Sequence, residues 1–296
     1  MKDYRVTFWT PGHCPSGDGL FGCASAGMVT EDRWIPDGSA ETVCWRSVRG
    51  EALSGSFGLM LREAGRRTET PSCILAFFTH GEGIDDFIGA LQGKFPGVPI
   101  LGGTAARTPE QDRGEVLPAG EDGALLLVYG GAAHAGGFGV HNRRVAEVTC
   151  EVEDRRVVRR IAGFPAAKYL AALRRTLDKP ENDFESITLR EPCGKNLHCH
   201  GGENGALIAG ADVQSQPLTV VEIARTRAAE AIRSYMRQEN ALCIGCAGLK
   251  TMVEEPFTAC RGSVGVFLFG EVTPYSDGVS RFGNLMMGRL IPGGGA

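Results

Sequence analysis

Near its C-terminal end the chain carries two apolar segments, 241–246 and 263–269, each closing on a glycine and a side chain able to do chemistry. The first ends in Cys243-Ile-Gly-Cys246-Ala-Gly248. The second, Ser263-Val-Gly-Val-Phe-Leu-Phe269, runs straight into Gly270-Glu271-Val272, and Asn284 closes the region. Short apolar runs bounded by glycine read as strands, because a helix buried to the same degree needs roughly ten or more residues. A chain built from such pieces forms a sheet. The ends of its strands are where a rigid frame presents side chains to loops and clefts.

The same reading extends upstream. Residues 4–9 predict a strand, and 10–22, with two prolines and four glycines, a loop. Residues 52–64 predict a helix weakened by Gly55 and Gly58. A continuous apolar strand over 73–79 is followed by Ile84, Phe87, Ile88, Leu91 and Phe95 at helical spacing, then a strand over 98–101. That order suits a sheet with a helix packed on one face. Strands are predicted over 124–129, 146–152 and 155–161, the last two joined by a tight turn at Asp154. Pro165 opens a helix where its missing N–H costs nothing, and Ala166, Tyr169, Leu170, Leu173 and Leu177 form its buried stripe. Further strands fall at 186–190, 206–209, 218–223 and 285–290, with a helix over 224–237 and a glycine-rich tail at 293–295. The expected fold class is α+β (mixed α/β), in two sheet-plus-helix halves, 1–160 and 161–292.

Composition narrows the function classes. With 43% hydrophobic and 22% charged residues in 296, a packed core is expected. Net charge is −4 with no basic face, which argues against nucleic acid as a partner. The densest basic cluster, Arg155, Arg156, Arg159 and Arg160, reads as the solvent side of a strand. No run approaches the ~18 apolar residues of a membrane span, and the start, Met-Lys-Asp-Tyr-Arg, lacks an apolar leader. Ten cysteines in such a chain are expected as reduced thiols of a cytoplasmic protein.

Several constellations could carry chemistry. Gly102-Gly103-Thr104 follows a strand, and glycine there lets a ligand approach the backbone. Glu271, at the end of an apolar strand, is a carboxylate placed to receive a ligand's amine or to shift its pKa. Cys193, His198, Cys199 and His200 form a segment dense in soft ligands, and Cys243-x2-Cys246 has the spacing of a zinc half-site. Cys246 or Cys199 beside a histidine would make an activated thiolate. Gly17-Asp-Gly19-Leu-Phe-Gly22 fits the dinucleotide fingerprint, but a seven-residue loop separates it from the preceding strand and no strong helix follows. It reads as a glycine-rich loop.

The Cys246-Ala-Gly248 and Gly270-Glu271 landmarks resemble those of the C-terminal half of the FIST domain, a sensor module shared by bacterial signalling proteins and a eukaryotic F-box protein. Val98-Pro-Ile-Leu-Gly-Gly-Thr104 is similar to the strand and turn of that family's N-terminal half. Val148-Thr149, Ile161-Ala-Gly-Phe-Pro165-Ala166 and Tyr169 resemble the junction between halves. Each motif is short, and their order and spacing over the chain from about Ser72 onward carry the resemblance. It implies a compact module that binds a small metabolite, an amino acid among the candidates, and signals through a separate partner protein. The implied ligand-binding residues are Gly102, Gly103, Thr104, Cys246, Gly248, Gly270, Glu271 and Asn284, with no catalytic residue, metal ligand or cofactor. Where the family has Arg after C-A-G this chain has Leu249, and where it has His before the final Asn this chain has Gly283. Lys250 and Arg261 are the candidates to supply the missing charge. Two alternatives stay open: an enzyme with a Cys- or Glu-based pocket, and a zinc- or redox-responsive Cys/His protein.

Overall fold

The computed structural model describes residues 1–36, 39–130, 133–140, 142–180, 186–253 and 257–292. The fold is mixed α+β and is dominated by two large sheets. The first runs, edge to edge, Ser280–Gly283, Glu271–Pro274, Ile100–Thr104, Cys73–Phe78, Gly123–Val128, Thr42–Gly55, Lys2–Trp9, Leu20–Ala24 and Val116–Leu117. The second runs Ala133–Gly139, Met286–Pro292, Leu242–Cys246, Val264–Leu268, Met28–Val29 and Trp34–Ile35.

The two sheets stack face to face between helices. Along Cys73–Phe78, Ile74, Ala76 and Phe78 join a core with Met60 of the helix Phe57–Gly65 and with Ile84, Phe87, Ile88 and Leu91 of the helix Ile84–Lys94. The alternate residues Cys73, Leu75 and Phe77 join a second core with Leu242, Ile244, Val264, Val266 and Leu268 of the other sheet. A strand covered on both faces has no solvent side, hence its uninterrupted apolar sequence. The outer face of the second sheet, with Cys243, Phe267 and Met287, packs on Ala228, Ala229 and Ile232 of the helix Arg225–Tyr235.

Two smaller sheets cap one side. Asn142–Val148, Leu218–Ile223, Ile187–Arg190 and Asn196–Leu197 form one, and Cys150–Glu153, Val157–Ile161, Leu207–Ala209 and Cys199–Gly201 the path of the other. Their apolar faces and the helix Ala166–Thr176 extend the first core.

Several elements differ from the sequence reading. Residues 52–55 belong to the strand Thr42–Gly55, and the helix begins only at Phe57, after Gly55 turns at φ 139° and Ser56 accepts the Leu59 N–H at 3.4 Å. The expected loop over 10–22 ends in the strand Leu20–Ala24, parallel to Lys2–Trp9. No helix follows it directly, so the fingerprint-like glycines sit in a strand-to-strand connection. The segment 146–152 breaks at Thr149 into strands of two different sheets. Pro165 caps the helix Ala166–Thr176 instead of lying inside it. The predicted tail at 293–295 lies outside the described residues.

The two sides of residue 160 exchange strands. Glu271–Pro274 and Ser280–Gly283 complete the sheet built mainly from the N-terminal side, while Ala133–Gly139, Met28–Val29 and Trp34–Ile35 join three C-terminal strands in the other. The basic cluster is split as well. Arg155, Arg159 and Arg160 are exposed, as expected of the solvent side, with Arg155 bonding Asp86 at 2.7 Å and Arg159 bonding Glu153 at 2.8 Å, whereas Arg156 is partly buried and bonds Asp212 at 2.6 Å.

Candidate functional site

Glu271 is not the end of the strand that precedes it. Val264–Leu268 ends, Gly270 turns at φ 82°, and the chain crosses to the other large sheet, where Glu271 begins the strand Glu271–Pro274. Glycine is needed at that turn for a second reason: a Cβ on Gly270 would lie 2.6 Å from the Phe282 ring. The crossing places Glu271 opposite Gly103 and Val272 opposite Gly102. Thus the first and last groups of candidate residues, far apart in sequence, become strand neighbours.

The room left by the two glycines is taken by protein. A Cβ on Gly102 would fall 1.6 Å from the Ala76 carbonyl oxygen, and one on Gly103 2.3 Å from that of Gly270. Thr104 donates its backbone N–H to the same Gly270 carbonyl at 3.3 Å. These residues position Glu271 through close backbone approach.

Glu271 itself is fully buried. Its Oε1 accepts the Met286 backbone N–H at 2.7 Å, and its Oε2 has no N–H or O–H donor, only the weak pull of the Cys246 thiol. Burial pushes the carboxyl well above its usual range, against the pull of the Met286 N–H and of the adjacent Cys246 thiol. Cys246 ends the strand Leu242–Cys246 and is buried. Burial, then the Glu271 carboxyl, pushes its thiol up to about 12, while the backbone N–H groups of Leu285, Gly248 and Gly270 pull it down. At neutral pH the Cys246 thiol is therefore protonated, and burial favours the protonated form of Glu271.

Two further buried oxygens lie unsatisfied around this pair. Asn284 Oδ1 has no partner, and a Cβ on facing Gly210 would come within 2.6 Å of it. The Tyr275 hydroxyl also has none, and a Cβ on Gly283 would sit 2.7 Å from it. Burial raises the Tyr275 hydroxyl well above its usual value, and the Glu271 and Cys193 groups raise it further. Thr104 Oγ1 and Thr273 Oγ1 complete the set of unpartnered oxygens on these strands.

Asn196 ties the cluster to the small sheets. Its backbone carbonyl accepts the Asn284 N–H at 3.1 Å, its Nδ2 reaches the Leu285 carbonyl at 3.4 Å, and its Oδ1 accepts Arg190 Nε at 2.9 Å. Beside it, the fully buried Lys195 Nζ bonds Asp85 Oδ1 at 2.7 Å and the Asp212 carbonyl at 2.8 Å. Burial pushes the Asp85 carboxyl up; the Lys195 ammonium and the Asp212 N–H pull it back.

Neither sequence candidate for the missing positive charge supplies it here. Lys250 Nζ donates to the Ala26 carbonyl at 2.6 Å, and Arg261 is exposed in the turn after Cys260. Arg190 is linked to the cluster only through the neutral amide of Asn196. Arg190, Asn196 and Tyr275 escaped the sequence reading because each belongs to a different strand or loop, with no local spacing to join them. The one available signal was that Arg190 closes a predicted apolar strand.

The Cys/His segment does not assemble with the Cys243–Cys246 strand. Cys193 Sγ donates to Glu191 Oε2 at 3.6 Å, Cys199 Sγ to the Leu197 carbonyl at 3.3 Å, and His200 is exposed. Cys243 is buried on the helix-facing side of its sheet. Among the described residues no group of three or more His, Cys, Asp or Glu could hold a metal ion, and no helix is long and apolar enough to cross a membrane. Compared with known proteins, the chain matches no family model and none of the curated proteins.

Proposed function

We propose that this chain is a FIST-type binding module for a small metabolite carrying a primary amine, an amino acid being the leading candidate, and that it passes the binding event to a separate signalling protein. The observation that supports this reading is the cluster of unpartnered buried oxygens on Glu271, Asn284 and Tyr275. Folded proteins pair nearly all of their buried polar groups, so three orphans on adjoining segments mark a place where donors are wanted. A ligand ammonium brings three N–H donors and no acceptor. It also supplies the positive charge that would let Glu271 ionise.

The position of the cluster suits a sensor. It lies where Glu271–Pro274, the segment 284–286 and Lys195 with the start of the strand Asn196–Leu197 meet. Tightening these contacts on a ligand would act on both large sheets and on the small ones together.

Thermal unfolding against a panel of amino acids, amines and deaminated analogues tests the reading. A ligand at 100 times its Kd should stabilise the protein by about 2.7 kcal/mol. Selective stabilisation by amine-bearing ligands, lost in Glu271→Gln, is expected. Folded protein that responds to none of them, or equally well to the deaminated analogues, would overturn it.

The enzyme alternative has one feature in its favour, the three backbone N–H groups around Cys246. With its pKa pushed up to about 12, that thiol is a poor nucleophile near neutrality. The binding reading is therefore preferred.

A further inference from the structure

A cavity of about 450 Å³ opens on the face of the four-stranded small sheet, lined in part by Arg190, Arg144, Thr219 and Val221. Arg190 and Thr219 are cross-strand neighbours, and Thr219 is in turn opposite Glu147. The charges around the cavity are unevenly matched. Arg144 is paired with Glu147 at 2.6 Å. Glu191 is already used: its Oε1 accepts the Gln214 and Ser215 N–H groups, and its Oε2 the Cys193 thiol. Arg190 is half-buried, and among the described residues its only side-chain hydrogen bond is the one from Nε to the neutral amide of Asn196. Among the described residues no carboxylate pairs with it. The guanidinium packs over Gly139, where a Cβ would come within 3.3 Å of Nη2.

We propose that this cavity is a binding site for a small oxyanion, a carboxylate or a phosphate, gripped by the outer edge of the Arg190 guanidinium. A planar guanidinium offers two parallel N–H donors to such a group, and with Nε held by Asn196 the remaining nitrogens are oriented in advance. Burying an unpaired cation is costly, and an anion in the cavity removes that cost. Burial also holds the Arg190 pKa below its usual value, the direction expected of a cation short of a counter-charge. The Thr219 hydroxyl on the neighbouring strand is a further donor facing the same space. This site stands independently of the amine-binding reading, which rests on Glu271.

Isothermal titration and thermal unfolding at fixed ionic strength, with acetate, glycolate and inorganic phosphate as probes, test it. Saturable one-to-one binding of at least one probe is expected, and comparison of the probes distinguishes carboxylate from phosphate. Arg190→Gln should abolish binding. Arg190→Lys should weaken it about tenfold, since an ammonium lacks the two-pronged edge, and it decides the matter if the Gln variant fails to fold. Glu271→Gln should leave it unchanged, which separates this site from the amine site. No saturable binding, an effect shared equally by chloride, or unaltered affinity in both Arg190 variants would overturn the proposal.

Discussion

Gly103 and Glu271 stand opposite each other across the antiparallel pairing of Ile100–Thr104 with Glu271–Pro274. That pairing joins the two ends of the chain in one sheet and fixes where the buried carboxyl sits. Its tightness makes a first prediction. Gly103→Ala would press a Cβ to 2.3 Å from the Gly270 carbonyl, and Gly102→Ala one to 1.6 Å from that of Ala76. Each should cost about 1–3 kcal/mol or more, as overpacked cores do. Gly89→Ala, exposed in mid-helix with nothing within 4 Å, should instead stabilise by up to ~1 kcal/mol. Urea denaturation of the three variants checks the contrast; equal effects would show that the strand contact is not the constraint.

Glu271 gives the protein a pH dependence of definite sign. Its folded pKa lies above the model-compound value of 4.5, so between those two values the native state holds a proton that the unfolded chain has released. The contribution of Glu271 is therefore complete below pH 4.5 and is lost as pH rises through the folded pKa. Relative to Glu271→Gln, which has no such proton, the wild type should lose stability from pH 5 to pH 8. An ammonium ligand should show the opposite trend, binding more tightly as pH rises, because it needs the carboxylate. Paired denaturation curves and titrations at several pH values test both statements.

Lys195 and Asp85 form a fully buried ion pair between the loop after Ile187–Arg190 and the helix Ile84–Lys94. Lys195→Met should destabilise by about 3–5 kcal/mol, because it strands a carboxylate in the core. Adding Asp85→Leu should recover only part of that loss, since the Asp212 N–H and carbonyl that the pair satisfies are left unbonded. Additive losses in the double variant would mean the two side chains do not act as a pair.

Thiol labelling separates the exposed cysteines from the buried ones. Cys14 and Cys44 are exposed, whereas Cys246, Cys243 and Cys199 are buried with pKa values pushed up to about 12. With iodoacetamide at pH 7.5, mass spectrometry should find Cys14 and Cys44 modified first and Cys246 only on unfolding. Rapid labelling of Cys246 in the folded protein would return weight to the enzyme reading.

Much of the architecture was legible locally. The strands over 73–79, 124–129, 218–223 and 241–246, and the helices after Gly83 and Ala224, follow from periodicity and length, because a window of five to fifteen residues contains the hydrogen-bonding and burial pattern that defines them. The residue types of the candidate site were legible too: a carboxylate, a thiol and an amide near glycines. What the sequence could not determine was which sheet each strand joins. Gly270 at φ 82° sends Glu271 away from the strand before it and onto Gly103, a choice made by backbone geometry and by pairing across 168 positions of chain. Arg190, Asn196 and Tyr275 became neighbours of the site for the same reason. Their contacts are tertiary, and no spacing in the sequence encodes them.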